Sequence, residues 1–366
     1  MFPEIKKNFG FGCMRLPMID GEVDKVEFNK MIDTFIENGF NYFDTAHGYI
    51  DGKSETAIRD CLSARYPRDK FLLANKLTSP YFETEADVRP FFEKQLEWCG
   101  VEYFDFYLFH ALNRDSYKKH KACNTFNIVK QLKEEGKVRH IAMSFHDTPD
   151  VLDMILTENP FIEAVQLQIN YLDYDDPTVQ SKACYDVAVK HGKPVIVMEP
   201  VKGGALVNLP VEATKLFKEL GNASNASYAI RYAASFPAVF MVLSGMGNMD
   251  MMNDNISTMK DFVPVNEKEL EAIEKSRVLI RQAKLIGCTG CEYCVAGCPQ
   301  DIMIPGVFSA YNQYLGAKAT RAEARDLLPK DSAPASDCIK CGACEEICPQ
   351  KLPIRDLLEK IAGRLK

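Results

Sequence analysis

No apolar run in this 366-residue chain approaches the eighteen or so residues a membrane-spanning helix needs. No basic block is present either. Lys and Arg number 44 against 51 Asp and Glu, a net charge of −7, so a nucleic-acid partner is not expected. The opening MFPEIKKNFGFG has no apolar stretch of signal-peptide length, which makes the cytoplasm the default expectation and a membrane partner an unexpected one. No glycine-rich phosphate fingerprint follows an early strand pattern, and that weighs against a Rossmann-type fold. Low-complexity tracts are absent. What remains is 46% apolar and 26% charged, an ordinary soluble composition, at a length that suits a barrel plus a smaller appendage.

Eight apolar, β-rich runs alternate with helical patterns, at 9–14, 42–46, 71–76, 104–110, 140–145, 164–169, 194–199 and 239–244. Each is nearly continuous, as parallel strands buried on both faces should be. Between them, Phe28, Met31, Ile32, Phe35 and Ile36 share a helical face that ends at Gly39. Thr84 can cap a helix carrying Val88, Phe91, Phe92, Leu96 and Cys99 to Gly100. Eight alternations favour a (β/α)8 TIM barrel, an α/β fold, over an open doubly wound sheet, which stays as the alternative. The barrel is expected over residues 1–265 and a small helical domain over 266–366, with short helical patterns near 306–316 and 320–328.

In such a barrel the active site lies at the C-terminal ends of the strands. The second run ends in Asp44, with Tyr49 shortly after it; the third ends in Lys76 and the fourth in His110. Taken singly, each has a bland reading as a turn cap, a solvated cation or a structural histidine. Together they make a coherent acid–base set. An ammonium lowers the pKa of a nearby phenol, a carboxylate holds the ammonium, and an imidazole can orient a carbonyl. His47 and His146, near strand ends, read as solvated loop residues, and Gly203 and Gly204 as a plain turn.

Through FGFGCMRLP, FDTAHGY, ANK and LFH the chain resembles the aldo-keto reductases over roughly residues 8 to 260. The resemblance implies a (β/α)8 barrel that reduces aldehydes and ketones with NAD(P)H. It implies a catalytic tetrad of Asp44, Tyr49, Lys76 and His110. It also implies that Ser144 and Gln166 hold the nicotinamide amide, with Asn170 following, and that Asp254 and Asn255 lie near the adenine. There are departures. Met198 stands where many members stack an aromatic ring, and Gly245 and Met251 stand where NADPH-preferring members place cations. A 2′-phosphate wants cations, so NADH and NADPH both stay open.

Of thirteen cysteines, eight fall in two runs of C-x2-C-x2-C-x3-C-P. The first is Cys288, Cys291, Cys294 and Cys298; the second is Cys338, Cys341, Cys344 and Cys348. This is the ferredoxin pattern for 4Fe–4S clusters, in which the fourth cysteine of each run ligates the other cluster. One cluster is therefore expected on Cys288, Cys291, Cys294 and Cys348, and the other on Cys338, Cys341, Cys344 and Cys298. Structural zinc uses two ligand pairs rather than runs of four ending in Pro, and a reducing compartment disfavours disulfides. The long helical spacer is similar to α-helical ferredoxin modules.

The leading expectation is an oxidoreductase that reduces a small carbonyl substrate, or oxidises the alcohol, with two clusters in its tail. The alternative is an enzyme whose clusters exchange electrons with a ferredoxin or other redox partner, through a flavin that joins one- and two-electron chemistry. A non-catalytic electron-transfer module ranks last, because the tetrad is complete.

Overall fold

The computed structural model describes residues 2–221 and 223–365. Eight strands close into a parallel barrel in chain order: β1 (Phe9–Gly12), β2 (Tyr42–Asp44), β3 (Leu72–Leu77), β4 (Phe104–Leu112), β5 (Val138–Phe145), β6 (Ala164–Gln168), β7 (Val195–Met198) and β8 (Val239–Gly245). Closure comes from β1, which pairs with both β2 and β8. All eight apolar runs are strands, and the fold class is the expected TIM barrel. The continuous apolar character follows from burial on both faces, with side chains filling the interior and helices covering the outside. The helix Lys25–Glu37 buries Phe28, Met31, Ile32 and Phe35, and Asp24 caps it through the backbone N–H groups of Val26 and Glu27.

Packing divides the chain into two compact units. The first holds the barrel strands, in Met1–Ile169, Asp173–Pro200 and Ile230–Pro264. The second takes Asn170–Leu172 and Val201–Ala229 as well as Val265–Lys366. A sequence cut at 265 runs through the chain once; packing draws two earlier segments to the later unit, where the helix Val211–Lys218 lies against Glu267–Ala283. The core of this unit is built from Ile302, Val307, Phe308, Tyr311, Ile354, Leu358 and Ile361 together with the sulfurs of Cys294, Cys344 and Cys348. Its helices include Ile304–Leu315, Arg321–Asp326 and Ile354–Arg364. No described helix is long and apolar enough to cross a membrane.

Phe2 and Ile5 pack on the barrel-core cluster that holds Tyr42, Phe106, Ala142, Ala164 and Met241, and the Phe2 ring meets Phe106, Phe240 and His140. His140 is held from both sides, by Glu4 at 2.6 Å and Glu163 at 3.0 Å. Burial alone would lower its pKa, but the two carboxylates outweigh burial and raise it above the ordinary 6.5. Burial likewise works to raise Glu163, yet hydrogen bonds from His140, Lys133 and the Ile141 N–H bring it down to about 2. The signs follow from linkage. The His140 contribution is complete below pH 6.5 and is lost as pH rises through its folded value. The Glu163 contribution is complete above pH 4.5 and is lost as pH falls toward about 2. Thermal melts of the wild type and of His140→Gln should therefore differ most between pH 4.5 and 6.5 and converge on the alkaline side. A difference that grows above pH 8 would refute this account of the cluster.

Candidate active site

Asp44 is the last residue of β2, Lys76 sits near the end of β3, and His110 stands late in β4. Tyr49 opens a tight turn, Tyr49–Gly52, in which Ile50 and Asp51 take left-handed φ values of 51° and 52°. Non-glycine residues in that region cost on the order of 1–3 kcal/mol each, so the surroundings must hold the turn. The four side chains come together. Lys76 Nζ donates to Asp44 Oδ1 at 2.6 Å and to the Thr45 carbonyl at 2.8 Å. It lies 4.8 Å from the centre of the Tyr49 ring. The Tyr49 and His110 rings meet edge to face, with centroids 6.2 Å apart. His110 Nδ1 is fixed by the Thr78 hydroxyl at 2.6 Å.

The electrostatics depart from the expectation that Lys76 lowers the phenol pKa. Burial pushes Tyr49 well above its ordinary value, Asp44 adds to the rise, and Arg15 opposes it. Lys76 is committed to Asp44, so its charge reaches the phenol largely compensated. Asp44 is itself raised by burial, with Lys76 pulling the other way through charge and hydrogen bond. Burial holds His110 well below its ordinary value, helped by Lys76, so the imidazole is neutral.

A buried polar network backs Lys76. Glu55, fully buried, accepts from Asn75 Nδ2 at 2.8 Å and from Gln95 Nε2 at 3.0 Å, and it pairs with His47 Nδ1 at 2.6 Å. Gln95 also donates to the Lys76 carbonyl at 3.1 Å and accepts from the Tyr107 hydroxyl at 2.6 Å. His47, expected as a solvated loop residue, is instead stacked on Trp98 with centroids 4.3 Å apart and tied to Glu55. A single sequence gives little sign of this network; the one local signal is Asn75, a polar residue beside Lys76 in an apolar strand. Glu199, after β7, takes a left-handed φ of 56° and lies close enough to Tyr49 to add to the rise in its pKa.

The residues assigned to the nicotinamide are placed as follows. Gln166 is buried, and its Oε1 has no hydrogen-bond partner among the described residues. Ser144 Oγ accepts from the Ala111 N–H at 2.7 Å, holding the bulge where Ala111 has a φ of 50°. Asn170 packs with the second unit, where its Oδ1 accepts from the Leu172 N–H at 3.1 Å. Asp254 and Asn255 lie on the helix Met249–Met259; Asn255 is buried and donates to Ser244 Oγ at 2.8 Å. Met198 ends β7, and Met251 is half exposed. Arg15 lies beside Gly245, where a Cβ would be 3.6 Å from its Nη1. That guanidinium is a cation the sequence comparison of positions 245 and 251 does not reveal.

In the second unit the cysteines stand around two cavities. Cys288, Cys291, Cys294 and Cys348 line one, with Phe308 and Gln350. Cys298, Cys338, Cys341 and Cys344 line the other, with Ile302 and Arg355. Among the described residues no three such side chains converge as the ligands of one metal ion do. Four thiols around one cavity fit the ligand set of a multi-atom cluster.

Residues 8–277 match the Aldo/keto reductase family, and residues 287–352 match the 4Fe-4S dicluster domain. Among curated proteins the chain is similar to the "Uncharacterized oxidoreductase YqkF" of Bacillus subtilis, 22% identical over 72% of this chain and 90% of that protein. Among solved structures it is similar to aldo-keto reductase AKR11C1 from Bacillus halodurans in its holo form, with a TM-score of 0.61 and 23% identity over 74% of this chain and 92% of that one. An aldo-keto reductase from Klebsiella pneumoniae in complex with NADPH gives a TM-score of 0.60 at 18% identity, over 73% and 90% of the two chains. The chain belongs to the aldo/keto reductase family and is an oxidoreductase with a 4Fe–4S dicluster domain at its C-terminal side.

Lys76→Met should leave the Asp44 carboxyl buried without its cation. Breaking a buried pair from one side costs about 3–5 kcal/mol, which urea unfolding will read. A loss below about 1 kcal/mol would show that the pair is not buried as described.

Proposed function

We propose that the barrel reduces an aldehyde or ketone to the alcohol, or runs the reverse reaction, with Tyr49 as the proton donor. Residues 1–265 carry this chemistry, and residues 266–366 hold two 4Fe–4S clusters on the two sets of four cysteines that line the cavities. The observation that carries the reading is the Lys76–Asp44 pair buried beside a protonated Tyr49, with a neutral His110 across from it.

The residues present fit a nicotinamide, because the buried Gln166 Oε1 is an acceptor without a donor among the described residues and a carboxamide N–H would supply one. The Ser144 hydroxyl, whose oxygen already accepts from Ala111, has its own hydrogen left to donate. When bound, NAD(P)H supplies the hydride to the carbonyl carbon. The chain does the rest. In the tautomer in which Nδ1 accepts from the Thr78 hydroxyl, His110 carries its hydrogen on Nε2 and can donate it to the carbonyl oxygen. As negative charge develops there, Tyr49 passes its hydroxyl proton to that oxygen, and the Lys76 ammonium steadies the phenolate left behind. Asp44 and the Thr45 carbonyl hold Lys76 in place for both states.

Tyr49→Phe removes the proton and should lower NAD(P)H-dependent reduction of a simple aldehyde by about 10²–10⁴-fold, with iron content unchanged. The wild-type rate, limited by a phenol held above its ordinary pKa, should show no Tyr49-linked fall across neutral and mildly alkaline pH. Full activity in the phenylalanine variant would remove Tyr49 from the mechanism.

The second reading, a cluster-coupled enzyme serving a ferredoxin or similar partner through a flavin, starts from the same observation, that all eight motif cysteines line two cavities, four to each. Anaerobic protein mixed with NADPH and no carbonyl separates the two. Under the first reading the visible absorbance of the clusters holds steady; bleaching would instead establish electron flow from nicotinamide to clusters.

A further inference from the structure

Lys202 is 5% exposed, and the carbonyl reduction proposed above gives it no role. It lies on the segment that packs with the second unit, and its Nζ donates to Gln350 Oε1 at 3.3 Å. Gln350 stands two residues beyond Cys348 and lines the same cavity as Cys288, Cys291, Cys294 and Cys348. The Lys202 stem runs over Gly287, where a Cβ would be 3.3 Å from Cε and 3.7 Å from Nζ. The next residue, Gly203, has a φ of 60°, and a Cβ there would meet the Thr289 carbonyl oxygen at 1.9 Å. Only glycine permits that approach, so the turn is a seat for the loop around Cys288 rather than a plain turn. Lys202 and Gly203 thus touch residues on both sides of Cys288 and the residue that follows Cys348 and Pro349.

The other cavity has a cation of a different kind. Arg355 lines it, but its side chain is 44% exposed and is paired with Glu345 at 2.7 Å. Water and a carboxylate both screen that charge. A buried ammonium acts through a lower dielectric and is felt more strongly.

We propose that Lys202 sets the reduction potential of the cluster held by Cys288, Cys291, Cys294 and Cys348, raising it so that an electron settles on that cluster in preference to its neighbour. The inference rests on the cluster reading above. Reduction adds one negative charge to a thiolate-ligated cluster, and a nearby positive charge stabilises the reduced form more than the oxidised one. Lys202 is a positioning residue here; it acts on the cluster without ligating it.

The test is an anaerobic redox titration followed by EPR on the full chain, comparing wild type with Lys202→Gln and Lys202→Arg. The glutamine keeps a hydrogen-bonding head for Gln350 and removes the charge; the arginine keeps the charge. One of the two reduction steps should move to lower potential in the glutamine variant and stay near wild type in the arginine variant, while the other step stays put in both. Unmoved steps in the glutamine variant, or equal movement of both, overturn the proposal. If the glutamine variant retains only half the iron while the arginine variant retains all of it, the charge keeps the cluster in place rather than setting its potential, and the proposal falls. If both lose half, Lys202 acts through packing and the proposal falls. Iron analysis of the wild type keeps the two readings apart: fewer than about eight irons per chain would overturn the cluster reading itself, whatever the variants do.

Discussion

Two opposite charges removed from water at the mouth of a closed barrel set the terms for the active site. Lys76 and Asp44 are almost fully buried, and taking such ions out of water costs several kcal/mol each before any attraction is counted. The cost is tolerable only with close geometry and satisfied hydrogen bonds. Lys76 has the 2.6 Å contact to Asp44, the Thr45 carbonyl and the face of the Tyr49 ring. The strand that carries it is braced from behind by Asn75, Gln95 and Glu55, whose donors and acceptors are matched to one another. Asp44 Oδ2 is the exception, an acceptor with no partner among the described residues. Burial, with the Asp44 charge beside it, is what keeps the phenol protonated next to an ammonium.

The second unit faces a different constraint. Its apolar core contains the sulfurs of Cys294, Cys344 and Cys348, so the residues that would hold iron also pack the interior. Cys348 lies on the first cavity, although it comes fifty residues after Cys298, and Cys298 lies on the second. Each cavity therefore draws on both runs. Loading either one would close a long loop, and the free energy of cluster binding would count as folding free energy for the unit. The close seat of Gly203 on Thr289 extends the same logic to a segment far away in the chain.

Much of the barrel was legible because parallel strands buried on both faces leave an unmistakable trace, a near-continuous apolar run, and every such run became a strand. The polar residues closing those runs stood out for the same reason. What stayed hidden depends on tertiary partners. Nothing local in 201–229 tells that it packs with the later unit, since its helical pattern would look the same on the barrel. Glu55 reads as one more helix-surface carboxylate until Asn75 and Gln95 are seen to surround it. Ser144 gives no sign that its oxygen is committed to the bulge at Ala111. The sign of the Tyr49 shift was also out of reach, because charge pattern reveals the ammonium but not the depth of burial that outweighs it.

The two chemistries proposed for the chain differ in how they move charge. Carbonyl reduction moves a hydride and a proton, so both electrons travel together and no radical forms. A neutral imidazole and a buried, protonated phenol suit this, since each holds its proton until an oxyanion appears. Clusters take electrons singly, and a pair of equal potential would share an electron without direction. On the proposal above, a buried cation at one cavity and a largely solvent-exposed one at the other remove that symmetry. The polar machinery of the barrel is thus organised around proton position, and that of the second unit around the placement of fixed charge. As proposed, the first would need no cluster to complete a turnover, and the second would acquire a direction without using Asp44, Tyr49, Lys76 or His110.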